Sequence, residues 1–273
     1  MTGWAEASVP RHRIGPAGWL RVIRRGALAG GLTYGGLVIL LLVRLVEAPL
    51  FGPVRPLTPW ITQTVCRGAL WLMGLRLQVN GRPMTAEGAI VANHSSWLDI
   101  FALNAADRVY FVAKSEVAGW PGIGWLARAT GTLFIARKGT EAKKQQEMLE
   151  ARLTAGHRLL FFPEGTSTDA IRVLPFKSTL FAAFFSPALV RRTHVQPVTV
   201  VFHAPDGEDP RFYGWWGDMG FASHLVKTLA ARRQGWVEVT FHPEVPVDAF
   251  DDRKTLAQHC ERVIRTAHVN AVA

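Results

Sequence analysis

The chain has 273 residues, enough for one α/β domain with a sizeable core and an N-terminal extension. Lys and Arg number 31 against 21 Asp and Glu, and the net charge of +10 predicts an anionic partner. Because 49% of the residues are hydrophobic and ten are Trp, which is typical of membrane interfaces, a lipid surface is favoured over nucleic acid. Cys66 and Cys260 form no Cys-X-X-Cys motif, so we expect neither a disulfide framework nor a metal site.

An uncharged apolar run covers residues 27–43, a length at the short edge of what crosses a bilayer. A signal peptide is the alternative interpretation, but Val46-Glu47-Ala48-Pro49 is a poor cleavage site. The basic residues before the run, Arg21, Arg24 and Arg25, predict a cytoplasmic N-terminus.

A second stretch, residues 56–77, has the pattern of an amphipathic or shallowly inserted helix, with Arg67 and Arg76 placed to reach the interface. The Pro-rich segment 48–59 lies between the two stretches and is expected to break any continuous helix. We therefore predict a two-helix membrane anchor over residues 1–76, followed by a catalytic domain over residues 77–273. A hairpin or in-plane pair keeps that domain on the cytoplasmic side.

The remaining chain alternates short apolar runs with helical or turn-rich segments, which predicts an α/β fold around a central sheet. The predicted strands are residues 89–93, 109–113, 132–136, 158–162, 195–202 and 236–242, and the predicted helices are 140–156 and 252–269. Polar loops follow the first, third and fourth strands. Since ligands bind where the strands of such folds end, these loops are expected to converge on one site.

The first of these loops, "NHSSWLD", places His94 five residues before Asp99. If a loop folds the imidazole back onto the carboxylate, Asp99 fixes the tautomer and His94 becomes a general base. Two alternatives remain open from spacing alone. In the first, Ser95 or Ser96 caps a helix and Asp99 only complements the helix dipole. In the second, a Ser is the nucleophile of a hydrolase, although no Gly-X-Ser-X-Gly motif is present.

Four blocks, in order over residues 93–200, resemble the glycerolipid acyltransferase family: "NHSSWLD", "GTLFIARKG", "FFPEGTS" and "VQPVTV". The resemblance implies a single α/β acyltransferase domain with a central mixed sheet. It makes His94 the base that deprotonates the acceptor hydroxyl and Asp99 the residue that orients it. The hydroxyl then attacks an acyl thioester directly, so the family needs no serine nucleophile and no cofactor.

The resemblance also assigns residues to the substrates. Acceptor binding falls to Arg137, Lys138, Glu164, Gly165 and Thr166, and Pro197 shapes the floor beneath the thioester. Without the resemblance, each of these residues has a purely structural interpretation. Arg137 would be a solvated charge at a strand end, the Pro-Glu-Gly-Thr sequence would be a turn, and Pro197 would be an edge-strand proline.

The donor implied by the resemblance is acyl-CoA or acyl carrier protein, which places the domain on the cytoplasmic face of the inner membrane. The acceptor expected first is 1-acyl-sn-glycerol-3-phosphate, because Arg137 and the basic balance suit an anionic head. The alternative is lyso-ornithine lipid, since residues 169–183 and 212–221 look similar to enzymes that acylate it, and Asp169, Arg172 and Asp218 suit a zwitterionic head. A serine esterase and a non-catalytic lipid-binding protein are remote alternatives.

Overall fold

The computed structural model describes residues 13–136 and 142–272. Helix α1 runs from Pro16 to Phe51, and of the helices in these ranges it alone is long and apolar enough to cross a membrane. The predicted apolar run is therefore the middle of a longer helix. Pro49 lies in its last turn and does not break it; α1 ends where Gly52 adopts a positive φ of 58°.

Of the two predicted anchor helices, α1 is long and apolar enough to cross a membrane, and membrane association stays a prediction for α2, Thr58–Met73. Its amphipathic pattern is real, but the apolar face packs on protein. A Cβ at Gly36 of α1 would lie 2.4 Å from Val65 Cγ2, so the two helices approach closely. The other side of α2 meets the domain core through its buried residues Cys66, Ala69, Leu70 and Met73.

One eight-stranded mixed sheet forms the centre of the described chain, which confirms the predicted fold class. Its order is β1-β7-β6-β2-β5-β3-β4, with β8 also pairing β6. All pairs are parallel except those of β7 and β8 with β6. The strands are β1 Arg76–Asn80, β2 Gly88–Ala92, β3 Tyr110–Lys114, β4 Leu133–Ile135, β5 Leu159–Phe161, β6 His194–His203, β7 Trp236–Phe241 and β8 Val245–Pro246.

Helices cover both faces of this sheet, so β2 is buried on both sides, as is usual for parallel strands. Ile90 and Ala92 of β2 belong to the core cluster beneath α2, while Ala89 and Val91 belong to the cluster beneath α7. The helices after α2 are α3 Leu98–Ala106, α4 Ile123–Ala129, α5 Ala142–Thr154, α6 Phe221–Ala230 and α7 Arg253–Val272. Short 3₁₀ helices cover Ser115–Gly119, Ser178–Phe185 and Val247–Ala249.

The parallel strands β2, β3, β5 and β6 all end at one edge of the sheet. The segments that follow them, residues 93–97, 115–122, 162–177 and 204–220, therefore meet there. The predicted loop after β4 falls mostly on residues 137–141, outside the described residues.

Helix α1 is tied to the domain near its N-terminus by Arg25, whose buried guanidinium caps the end of α6. Its Nη1 donates to the carbonyl oxygens of Leu229 at 2.9 Å and Ala231 at 2.6 Å. We expect Arg25→Ala to lower the free energy of unfolding by about 1.5–3 kcal/mol, because two hydrogen bonds from a charged group are lost and the two carbonyl oxygens lose this donor. Thermal unfolding in detergent, followed by circular dichroism, measures the change.

The control for this variant is Arg24→Ala, which removes the neighbouring exposed arginine. A surface change of this kind is expected to stay within about 0.5 kcal/mol of the unsubstituted protein. Equal losses in the two variants would contradict the docking role of Arg25.

Candidate active site

Asp99 lies in the first turn of α3, and one oxygen of its carboxylate gathers the preceding loop. Oδ2 accepts from His94 Nδ1 at 2.6 Å and from the backbone N–H groups of Ser95 at 2.8 Å and Ser96 at 3.1 Å. The Asp99 side chain is fully buried, whereas that of His94 is 19% exposed. Because the carboxylate only accepts, Nδ1 carries the proton and Nε2 is left as the basic nitrogen.

The geometry expected for a general base is therefore present, and the capping alternative describes the loop less well. Neither serine hydroxyl makes a capping hydrogen bond of ordinary length: Ser96 Oγ accepts from Leu98 N at 3.4 Å. Within the described residues Ser95 Oγ has no hydrogen-bond partner. Since neither hydroxyl is bonded to an imidazole there, the geometry gives no support to a serine nucleophile.

The His94 ring and backbone are held from several sides. The ring of Phe162, just after β5, stacks on the imidazole with centroids 4.1 Å apart and planes 12° from parallel. Thr168 donates to the His94 carbonyl from both N, at 2.9 Å, and Oγ1, at 3.2 Å. The Asn93 amide exchanges two 2.8 Å hydrogen bonds with the backbone of Val200. The imidazole is thus positioned before any substrate arrives.

Glu164 contacts the chain itself. Its Oε1 accepts from the backbone N–H of His94 and its Oε2 from that of Leu174, both at 2.6 Å. Burial raises the pKa of this carboxyl from 4.5 to about 8, although the two hydrogen bonds oppose the rise. The two oxygens of Glu164 thus join the His94 loop to Leu174, a role that the order of residues in the chain does not reveal. Acceptor binding by Glu164 stays a prediction.

The other residues of the Pro-Glu-Gly-Thr block lie beside it. Gly165 has a φ of 74°, which favours glycine, and its N–H donates to Phe162 O at 3.1 Å, so the block is a tight turn as composition indicated. Thr166 is exposed. Arg137 and Lys138 lie outside the described residues, directly after Ala136. Acceptor binding by Gly165, Thr166, Arg137 and Lys138 stays a prediction.

Pro197 is buried in β6 and pairs with Val91 of β2, which lies three residues before His94. The alternative of an edge-strand proline is wrong, because β6 is an interior strand. It pairs with β2 on one side and with β7 and β8, both antiparallel to it, on the other. Pro197 falls where the pairing passes from β8 to β7, a position at which a missing N–H is tolerated. Its role beneath the thioester stays a prediction.

A buried carboxylate that orients a histidine at the carboxyl edge of a mixed α/β sheet is the arrangement of a general base for a hydroxyl group. The model of the Acyltransferase family matches residues 76–201, which include His94, Asp99 and Glu164. A lyso-ornithine lipid O-acyltransferase from Rhodobacter capsulatus is 58% identical over 92% of this chain and 91% of that protein. The chain belongs to the glycerolipid acyltransferase family.

A second relative and a solved structure extend the comparison. A 1-acyl-sn-glycerol-3-phosphate acyltransferase from Neisseria meningitidis is 38% identical over 73% of this chain and 77% of that protein. The crystal structure of the 1-acyl-sn-glycerophosphate acyltransferase from Thermotoga maritima superposes with a TM-score of 0.65, covering 94% of this chain and 96% of that one. At 21% identity, this likeness shows the fold alone.

The raised pKa of Glu164 predicts a pH-dependent stability. A carboxyl whose pKa is higher in the folded than in the unfolded state favours folding when it is protonated. The contribution of Glu164 to the free energy of unfolding is therefore complete below about pH 4.5 and is lost as the pH rises through about 8. Glu164→Gln removes this titration and one of the two backbone acceptors. We expect it to cost about 1–3 kcal/mol at pH 5 and to flatten the decline in thermal stability between pH 5 and pH 8.

Glu147→Gln, an exposed change on α5, is the matched control and should retain the pH dependence of the unsubstituted protein. A decline with pH in Glu164→Gln as steep as in the unsubstituted protein would show that this carboxyl does not titrate in the fold.

Proposed function

We propose that the protein transfers a fatty acyl group from a thioester to the free hydroxyl of lyso-ornithine lipid. The observation that carries the reaction is the 2.6 Å contact between His94 Nδ1 and Asp99 Oδ2. The acceptor is supported by the 58% identical relative, whose name specifies it, against 38% for the relative named for 1-acyl-sn-glycerol-3-phosphate. The comparisons thus favour the second of the two acceptors expected from the sequence, within the coarser class of lysolipid acyltransferases.

The chemistry is a single displacement. Nε2 of His94 takes the proton of the acceptor hydroxyl as its oxygen bonds to the thioester carbonyl carbon. The C–S bond then breaks, and the departing sulfur takes the proton from the imidazolium. Asp99 remains ionised beside the imidazolium and stabilises it. No acyl-enzyme is needed, because the thiolate of a thiol whose pKa is about 8.5 is already a good leaving group.

The acceptor head is expected to meet the loop 168–174, which is bonded to His94 directly at one end and through Glu164 at the other. Thr168 N donates to His94 O, while Leu174 N donates to the carboxyl of Glu164 that also holds His94 N. Between these points Arg172 pairs with buried Asp169 at 2.8 Å and stays partly exposed. The exposed part of the Arg172 guanidinium offers a positive charge to the carboxylate of a zwitterionic amino-acid head. Asp218 is exposed on segment 212–221.

The second candidate acceptor is 1-acyl-sn-glycerol-3-phosphate. Its phosphate is matched by the net charge of +10 and by the predicted role of Arg137 and Lys138. Acyl-CoA and acyl carrier protein are the proposed donors, and both are soluble in the cytoplasm.

Membrane attachment through α1 belongs to the same proposal. The helix is bonded to the rest of the fold near both ends. Arg21 Nε donates to Ala230 O of α6, and Glu47 Oε2 accepts from Thr58 Oγ1 of α2. At about 1.5 Å per residue α1 is about 54 Å long, well beyond the roughly 30 Å of a hydrocarbon core. A perpendicular crossing would pull the docked elements into lipid, so we place α1 in the plane of the cytoplasmic face of the inner membrane.

The test is transfer of labelled acyl chain from acyl-CoA or acyl carrier protein to each lysolipid, with purified protein in lipid micelles. We expect turnover of lyso-ornithine lipid to exceed that of 1-acyl-sn-glycerol-3-phosphate. His94→Ala should lower kcat by about 10²- to 10⁴-fold, because the general base is lost. His259→Gln, on α7 with its ring against Phe250, is the matched control and should leave kcat unchanged.

Faster transfer to the phosphate acceptor would replace the acceptor and keep the reaction. Release of free fatty acid with no acylated lysolipid, or full activity of His94→Ala, would overturn the proposed chemistry.

A further inference from the structure

Segment 212–221, singled out in the sequence, returns from the end of β6 to the catalytic loop. The backbone N–H of Trp215 donates to Ser95 O at 3.0 Å, one residue from His94. The hydroxyl of Ser167 donates to Trp215 O. The backbone of Trp215 is therefore attached to both loops that surround the imidazole.

The side chain of Trp215 is fixed as well. Its Nε1 donates to Met219 O at 2.7 Å. Its ring meets Trp120 edge to face, with centroids 6.1 Å apart and planes at 82°, and meets Phe221 at 6.3 Å and 76°. Trp120 follows β3 and is 39% exposed. The Trp120–Trp215 pair thus extends from the catalytic loop to the protein surface.

That surface continues into the apolar face of α1. A Cβ at Gly122 would lie 2.4 Å from Tyr34 Oη, so the segment after Trp120 packs against α1. Trp125, on α4, is 67% exposed on the same segment. The large apolar side chains that α1 exposes beyond residue 34 are Val38, Ile39, Leu41, Leu42, Leu45, Val46, Leu50 and Phe51.

We infer that Trp120 and Trp215 line the entrance through which the acyl chain of the lysolipid acceptor reaches His94 from the bilayer. The inference rests on the proposed function. The acceptor stays in the membrane, and this aromatic surface is continuous with the face of α1 placed there, whereas a donor thioester approaches from water. Tryptophan suits such a boundary, because its ring is apolar and its N–H is polar.

Trp120→Ala tests the entrance, since Trp120 contributes its ring and no side-chain hydrogen bond to the described part of the site. With vesicles of phosphatidylcholine and phosphatidylglycerol that contain the lysolipid, the apparent KM for the lysolipid is expected to rise about three- to tenfold. The KM for acyl-CoA and the kcat at saturation should not change. Trp215→Phe keeps most of the ring and should produce a smaller rise.

The matched control is Trp71→Ala, because Trp71 is 78% exposed on α2 and belongs to another part of the surface. An equal rise in KM for Trp71→Ala would mean that only membrane attachment has changed, and would overturn the inference. So would an unchanged lysolipid KM in Trp120→Ala, or a rise confined to the KM for acyl-CoA, which would assign the passage to the donor.

A second measurement needs no turnover and separates this inference from the proposed function. Lysolipid with a brominated chain quenches nearby tryptophans, so the quenching in Trp120→Phe should be weaker than in the unsubstituted protein and in Trp71→Phe. Equal quenching in all three proteins would show that the chain does not pass Trp120, whatever reaction the protein catalyses.

Discussion

The site depends on one buried oxygen. Asp99 Oδ2 accepts three N–H groups, two from the backbone of Ser95 and Ser96 and one from the His94 ring. A carboxylate without solvent requires such donors, because an unpaired buried charge is very costly. The donors can reach it only if the loop after β2 folds back over the first turn of α3. The need to satisfy Asp99 and the orientation of His94 are therefore one constraint.

The rest of the fold holds that loop in place. Parallel strands bring the segments after β2, β3, β5 and β6 to one edge, where Thr168, Glu164 and Trp215 each bond to the backbone of residues 94–95. The two acidic residues next to His94 differ in their surroundings. Asp99 has the imidazole as partner, while the two oxygens of Glu164 accept from neutral backbone amides, and burial raises the pKa of Glu164. Asp99 is suited to stabilise an imidazolium, and Glu164 to join loops.

Local sequence was enough to predict the strands around the site, because alternation and turn residues act over a few residues. The pairing of His94 with Asp99 was one of the options that spacing left open, and the resemblance to the acyltransferase blocks selected it. Local sequence was not enough for contacts between distant segments. The apolar face of α2 has the same pattern whether it covers lipid or protein, so its packing against α1 and the domain core could not be predicted. The amides held by Glu164, and the contact of Trp215 with Ser95, exist only after β2, β5 and β6 have paired.

The central claim is that Asp99 keeps the His94 proton on Nδ1 and leaves Nε2 as the base. Nitrogen NMR of protein labelled with ¹⁵N-histidine tests it directly, with His94→Gln identifying the signal among the nine histidines. At neutral pH the account predicts a protonated Nδ1 and an unprotonated Nε2 for His94. A proton on Nε2 with Nδ1 bare would contradict it, because the nitrogen facing the acceptor hydroxyl would then have no lone pair with which to take its proton.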